Sequence, residues 1–149
     1  MLSGEKGVLP GSDYYFMTPS VMAQEIFFYP LFCGHFRCIT GYDVSRIDYN
    51  NFLLMYVAQG QCGIEAEGRE FVARTGDLVI LNCHKPHRYY AIDYLDLVWL
   101  HFDGHDAENF YRQIVRSSGI VCSVGEDSEI VSAIREFLIL YRNNQRLGE

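Results

Sequence analysis

The amino-acid sequence predicts a mainly β protein: a barrel or sandwich of short strands followed by two C-terminal α-helices. Three observations carry this. Between Ile26 and Phe102, short runs rich in aromatic and β-branched residues recur, punctuated by "CGHF", "YNN", "AQGQCG", "EGRE", "RTGD", "CHKPH" and "AIDY". Beyond Gly104 the apolar spacing changes from that of a strand to that of a helix. Strands therefore come first and helices last, an order that stacks helices on a sheet instead of alternating with it.

Each element has its own local signal. Residues 1–24, rich in Gly, Pro and Tyr, read as an irregular N-terminal arm ahead of a barrel over 25–104. "IEAEGREFVA" reads as a hairpin turning at Glu67 and Gly68, because glycine accepts the positive φ of a tight turn. Ile64 and Ala66 alternate with Glu65 and Glu67, so one face is buried and one is wet. In "LDLVWLHFD", Leu97, Trp99 and His101 share one face, and Val98, Leu100 and Phe102 share the other. The purely apolar face is placed under the helices, and the mixed face is turned to a lumen. In the helical part, 105–149, "HDAENFYRQIVRSSG" puts Ala107, Phe110, Tyr111 and Ile114 on one face and is closed by Gly119. "EDSEIVSAIREFLILYRNN" follows, with acidic residues in its first turn and a stripe of Ile130, Ile134, Phe137, Leu138 and Tyr141. Ile139 lies opposite that stripe and Leu140 beside it, as expected of a helix packed between the barrel and a partner helix.

Composition narrows the functional classes. With 149 residues, 49% of them hydrophobic, the chain can build one core and is too apolar for disorder. A net charge of -7 supplies no basic face for phosphates. No apolar run approaches the ~20 residues that span a bilayer, and the N-terminus "MLSGEKGVLPG" lacks the apolar core of a signal peptide, so a cytoplasmic protein is expected. Cys33, Cys38, Cys62, Cys83 and Cys122 are odd in number and scattered, and read as reduced thiols packed as small apolar groups.

The densest chemistry lies in "GDLVILNCHKPHRYY", residues 76–90, where Cys83, His84 and His87 crowd together. Strand alternation separates them and leaves His87 and Tyr89 on one face. In "GYDVSRID", Tyr42, Val44 and Arg46 share a face. A buried arginine needs a partner. Arg46 is therefore a ligand-binding guanidinium, a residue of an exposed edge strand, or a partner in a salt bridge to an internal Asp or Glu, and Trp99 and His87 are either pocket residues or core. A catalytic metal needs about three protein ligands, and no histidine occurs between His35 and His84. No catalytic residues, metal ligands or cofactor are expected.

The ordered set formed by an apolar strand ending in Gly60, the "GREF" hairpin, "GDLVILNCHKPHRYY" and "WLHFDG" resembles the cupin-type sensor domain of the AraC family of bacterial transcription regulators, closely over 52–104 and loosely over 37–145. The resemblance implies a cupin-like double-stranded β-helix (jelly-roll) barrel whose lumen binds a small effector, often a sugar. By matching position, the contacts are Arg46, Tyr89, Trp99, Leu97 and His101, with Arg37 competing for the place of Arg46; His87 joins them on the face it shares with Tyr89. The resemblance also implies a homodimer made through the C-terminal helices, with Ile139 and Leu140 at the interface, and an arm able to cover the pocket. It implies DNA binding through a helix-turn-helix domain that no stretch of this chain supplies, as though the chain were part of a longer regulator. The chain departs from the family at a turn often holding Pro-Pro-Gly, where Asn82, Cys83 and His84 stand. The alternative is a metal-dependent cupin enzyme, an isomerase or dioxygenase.

Overall fold

Two long strands organise the molecule. The computed structural model describes residues 4–25 and 28–146; Ile26, at the predicted start of the β region, and the ends of the predicted arm and helical part, 1–3 and 147–149, lie outside the described residues. Strand β4 (Phe52–Ala66) spans 15 residues and β7 (His87–Asp103) spans 17, and they run antiparallel along their length. Strands this long bend rather than end. Between Val57 and Gln61 the β4–β7 register shifts twice, and Gly60 and Asp93 adopt φ of 93° and 61° at that corner. Each strand therefore serves two halves of a barrel.

One half joins β6 (Asp77–Asn82) and β2 (Tyr29–Cys38) to the ends of β4 and β7 holding Phe52 and Phe102. The other half joins β5 (Arg69–Arg74) and β3 (Asp43–Arg46) to the ends holding Ala66 and His87. Outer edges are extended by β1 (Asp13–Phe16) on β2 and by β8 (Val121–Ser123) on β6. The β4–β5 hairpin turns at Glu67 (φ 53°) and Gly68 (φ 72°), two consecutive positive values that match the right-handed twist of its strands.

Strand alternation sorts the core. Leu53, Met55, Val57, Leu95, Leu97 and Trp99 point into the barrel with Phe36, Ile64, Leu81 and Tyr89. Their neighbours point outward to the helices. Phe52, Ile80 and Phe102 pack on Ala107 and Tyr111 of α2 (Ala107–Ser118), and Tyr56, Leu78 and Val98 pack on Val131 and Ile134 of α3 (Glu129–Arg146). Gly119 (φ 82°) closes α2, its N–H bonding to the carbonyl of Val115.

Several elements differ from the expectation. "AQGQCG" and "AIDY" are not turns between strands but the facing halves of the barrel corner, and "CGHF" lies inside β2. Gly60 therefore does not end its strand. The arm is not irregular throughout: it holds β1 and a short helix, α1 (Val21–Glu25), and is tied along β2 by Leu9 N–H to the carbonyl of Arg37 (2.7 Å) and Ile39 N–H to the carbonyl of Gly7 (2.9 Å). The short β8 carried no signal of its own. On α3 the buried stripe is rotated: Val131 is buried and Ile130 is 49% exposed.

Candidate functional site

Where the lumen is not filled by side chains, a cavity of about 180 Å³ remains. That is space for a small molecule of about monosaccharide size. Its walls are mostly aromatic. From the predicted set, Arg46, Tyr89, Trp99 and His101 line it together. Two strands carry them, Arg46 on β3 and the other three on β7; β3 pairs Val44 with Tyr89 of β7, and β2 pairs Gly34 with Trp99. The Trp99 indole lies across Gly34, where an added Cβ would sit 2.5 Å from Trp99 Cζ2. Glycine is thus required by a close approach, and its lack of a side chain keeps the lumen open.

Arg46 is half-buried at the wall. Its guanidinium carbon stands 4.0 Å from the Tyr49 ring centroid, and Nη1 donates to the Tyr89 hydroxyl at 3.4 Å. It lies on an edge strand, since among the described residues β3 pairs only with β7, but no carboxylate of those residues is within ion-pair distance of it; Arg88 is the arginine that bonds Asp43 (2.7 Å) and Glu65 (2.6 Å). Arg37 points outside the barrel toward Asp96 (3.7 Å), its side chain 51% exposed, and is not the pocket arginine. Trp99 is 8% exposed and its buried Nε1 has no hydrogen-bond partner among the described residues, so its N–H can serve a ligand.

His101 stacks on Phe32 (centroids 4.3 Å apart), and its Nδ1 donates to Asn51 Oδ1 at 2.7 Å, so Nε2 is left as an acceptor. Burial, then the charges of Arg46 and His87, push its pKa from 6.5 down to about 3. The ring stays neutral in the fold but takes a proton when unfolded, so its contribution is whole above 6.5 and is lost as pH falls toward 3. At about pH 5, roughly 1.5 units below the unfolded value, this linkage removes about 2 kcal/mol. Urea unfolding at about pH 7.5 and pH 5 is expected to show that loss, with His87, whose pKa is also lowered by burial, adding to it. His101→Gln is expected to be less pH-sensitive; an equal loss in the variant would assign the effect to other groups.

Two predicted members stand apart from the cavity. Leu97, 1% exposed, is packed into the core and does not line it. His87 shares the face of Tyr89, its ring 6.3 Å away, but is buried behind it with Nδ1 donating to the carbonyl of Lys85 (2.8 Å). Conversely, Tyr14, Phe16, Phe32 and Tyr49 line the cavity without having been singled out. Tyr49 follows Arg46 by three residues, outside any strand, where no periodicity marks it. Glu5, Tyr14 and Phe16 bring the arm to the cavity. On α3, Ile139 and Leu140 are 56% and 60% exposed, and Ile139 borders a groove between α3 and the barrel strands.

The crowded turn does not converge. Cys83 is buried with its thiol pushed up to about 12, and His84 is exposed against Phe52 (5.3 Å). No group of three His, Cys, Asp or Glu among the described residues is placed to hold a metal ion. Nor is a reactive thiol: burial also raises Cys33, Cys38 and Cys62 to about 12.

A bent, two-layered β barrel with helices on one side and a small, largely aromatic cavity within is a cupin barrel. The chain belongs to the family of AraC-like ligand binding domains, whose model matches residues 29–149. Among solved structures it is similar to YhaK from Escherichia coli at 10% identity (TM-score 0.58), over 77% of this chain and 51% of that one. It is similar to a cupin superfamily protein from Desulfitobacterium hafniense at 15% identity (TM-score 0.46), over 62% and 77%. It is also similar to the cupin domain of an XRE family transcriptional regulator from Enterobacter cloacae at 13% identity (TM-score 0.45), over 60% and 94%. No curated protein sequence matches the chain.

Proposed function

We propose that this chain is the effector-sensing and dimerisation part of an AraC-type transcription regulator, and that it has no catalytic activity of its own. The effector is a small polar molecule of sugar size held in the lumen by Arg46, Tyr89, Trp99 and His101. One observation carries this reading: a cavity of about 180 Å³ whose wall sets a guanidinium and a neutral imidazole among aromatic faces. Aromatic faces take the apolar side of a sugar ring, and the polar groups fix its hydroxyls. No described helix is long and apolar enough to cross a membrane, in keeping with a cytoplasmic regulator. The acidic chain leaves DNA contact to a separate helix-turn-helix domain. Effector binding would shift the balance between two arrangements of the arm or the dimer.

Trp99 is the single tryptophan of the sequence, so its fluorescence reports the cavity directly. Titration with a panel of monosaccharides is expected to give a saturable change for the effector, with a melting temperature rising with the logarithm of concentration. Tyr89→Ala is expected to weaken that binding at least tenfold. Unchanged affinity in this variant would place the ligand elsewhere.

Dimerisation is assigned to the outer face of α3. Aspartate at both Ile139 and Leu140 is expected to convert a dimer, seen by sedimentation at micromolar concentration, to a monomer with unchanged circular dichroism. Each buried apolar anchor of such an interface is worth about 2 kcal/mol. A wild-type monomer, or a variant that remains dimeric, would remove α3 from the interface.

A further inference from the structure

We propose that the ligand of the cavity is an anion: a small hydroxy acid or sugar acid whose carboxylate is bound by Arg46. This rests on the reading of the lumen as the effector site and narrows the class of effector.

The argument starts from charge. A guanidinium has five N–H donors. At Arg46 the described residues take one of them, at 3.4 Å, through the Tyr89 hydroxyl. The remaining stabilisation comes from the Tyr49 ring 4.0 Å away, and a π-face attracts the cation without neutralising it or using its hydrogen bonds in the plane. The neighbouring arginine on the outer surface shows the contrast: Arg88 also lies on a ring, that of Tyr90 (4.5 Å), yet bonds two carboxylates. A planar fork with free donors at a cavity wall matches a carboxylate with two parallel bonds, where a hydroxyl takes one.

The surrounding groups favour an anion over a neutral ligand. Burial, then the charge of Arg46, holds His101 neutral, so Arg46 is the cation that faces a ligand there. Trp99 has a buried N–H without a partner, another donor awaiting an acceptor. Glu5 also lines the cavity from the arm, and its charge reaches the buried Tyr42 and Tyr89 hydroxyls, so an anion at Arg46 is bound against that carboxylate. The acceptor Nε2 of His101 suits a hydroxyl elsewhere on the same ligand. The volume of about 180 Å³ limits that ligand to one ring or a short chain.

The test pairs each acid with its neutral parent. Galacturonate with galactose, glucuronate with glucose, and arabinonate with arabinose are titrated by calorimetry and Trp99 fluorescence, with acetate and glycolate as minimal carboxylates at tens of millimolar. The expected result is at least tenfold tighter binding of one acid than of its parent. Arg46→Gln should erase that preference and Arg46→Lys should restore part of it, both variants melting within a few degrees of the wild type. A parent that binds as tightly as its acid, with affinity still lost in Tyr89→Ala, overturns the anion inference and keeps the lumen as the site. An acid whose affinity survives both Arg46→Gln and Tyr89→Ala overturns the lumen reading itself. Silence from every acid, acetate and glycolate included, also overturns the anion inference, because the smallest of them reach Arg46 whatever the rest of the cavity selects.

Discussion

Gly60→Ala is expected to lose about 2–4 kcal/mol of folding stability, a large share of the roughly 5–15 kcal/mol that holds a domain folded. Two costs combine. Gly60 sits at φ 93°, a conformation alanine adopts only with strain. A Cβ there would also lie 2.0 Å from the carbonyl oxygen of Tyr94, a backbone atom that cannot swing aside. The clash falls at the corner where β4 and β7 pass from one half of the barrel to the other, so relieving it would shift the Leu95–Gly60 pairing and the core residues on both sides. Gly68→Ala separates the two costs. Gly68 is also positive, at φ 72°, but nothing lies within 4 Å of an added Cβ, so only the backbone strain of about 1–2 kcal/mol applies. Urea titrations of both variants measure the difference. A Gly60→Ala loss no larger than that of Gly68→Ala would mean that the corner relaxes freely.

The same corner explains which parts of the fold were legible in the sequence. Period-two alternation in "LDLVWLHFD" and "IEAEGREFVA" separated lumen from outer face correctly, because every residue there has a buried or wet side to declare. Glycine and polar residues in "AQGQCG" and "AIDY" signalled a break in that alternation, and there is one. A break in pattern cannot say whether the chain reverses or merely bends, since both need residues that tolerate positive φ. Only the pairing of the two segments with each other, Gln59 against Asp96 and Gln61 against Ile92, makes them one corner of two continuous strands. The strand in the arm was hidden for a different reason: β1 has four residues and takes its hydrogen bonds from β2, so its state is set by tertiary contact and not by its own pattern.

At the site, alternation found the four residues that share the cavity and could not sort depth. Leu97, Trp99 and His101 occupy one face, but the lumen is filled at Leu97 and open beside Trp99 and His101. His87 and Tyr89 likewise share a face, and the register places His87 next to the turn, where the carbonyl of Lys85 claims it. The aromatic lining from Tyr14, Phe32 and Tyr49 comes from three segments whose convergence is a property of the barrel. Residue type carried the arginine: a charge on a semi-apolar face demands a partner, and Arg46 has one ring and one hydroxyl beside it.

Depth also supplies the sharpest test of which residues belong to the site. Trp99→Ala is expected to cost about 3–5 kcal/mol, the usual range for deleting a large buried aromatic. Trp99 is 8% exposed and edges onto Phe36 (5.1 Å), His101 (5.7 Å) and Phe32 (6.0 Å), so its loss merges the ligand cavity with the space over Gly34. Effector binding should then fall beyond measurement, read by calorimetry because the fluorophore is gone. Loss of stability alone could mimic this, and Leu97→Ala provides the comparison. Leu97 is 1% exposed, two residues away on the same face, and outside the cavity wall. Its truncation should cost about 2–5 kcal/mol, comparable to the Trp99 variant, yet leave the affinity of the folded fraction within about twofold of the wild type. Trp99→Phe, which keeps a ring and removes Nε1, should recover much of the stability and little of any affinity owed to the indole N–H. Should Leu97→Ala abolish binding as completely as Trp99→Ala, the ligand would be reading the packing of the whole core, and the wall defined by Arg46, Tyr89, Trp99 and His101 would not be the site.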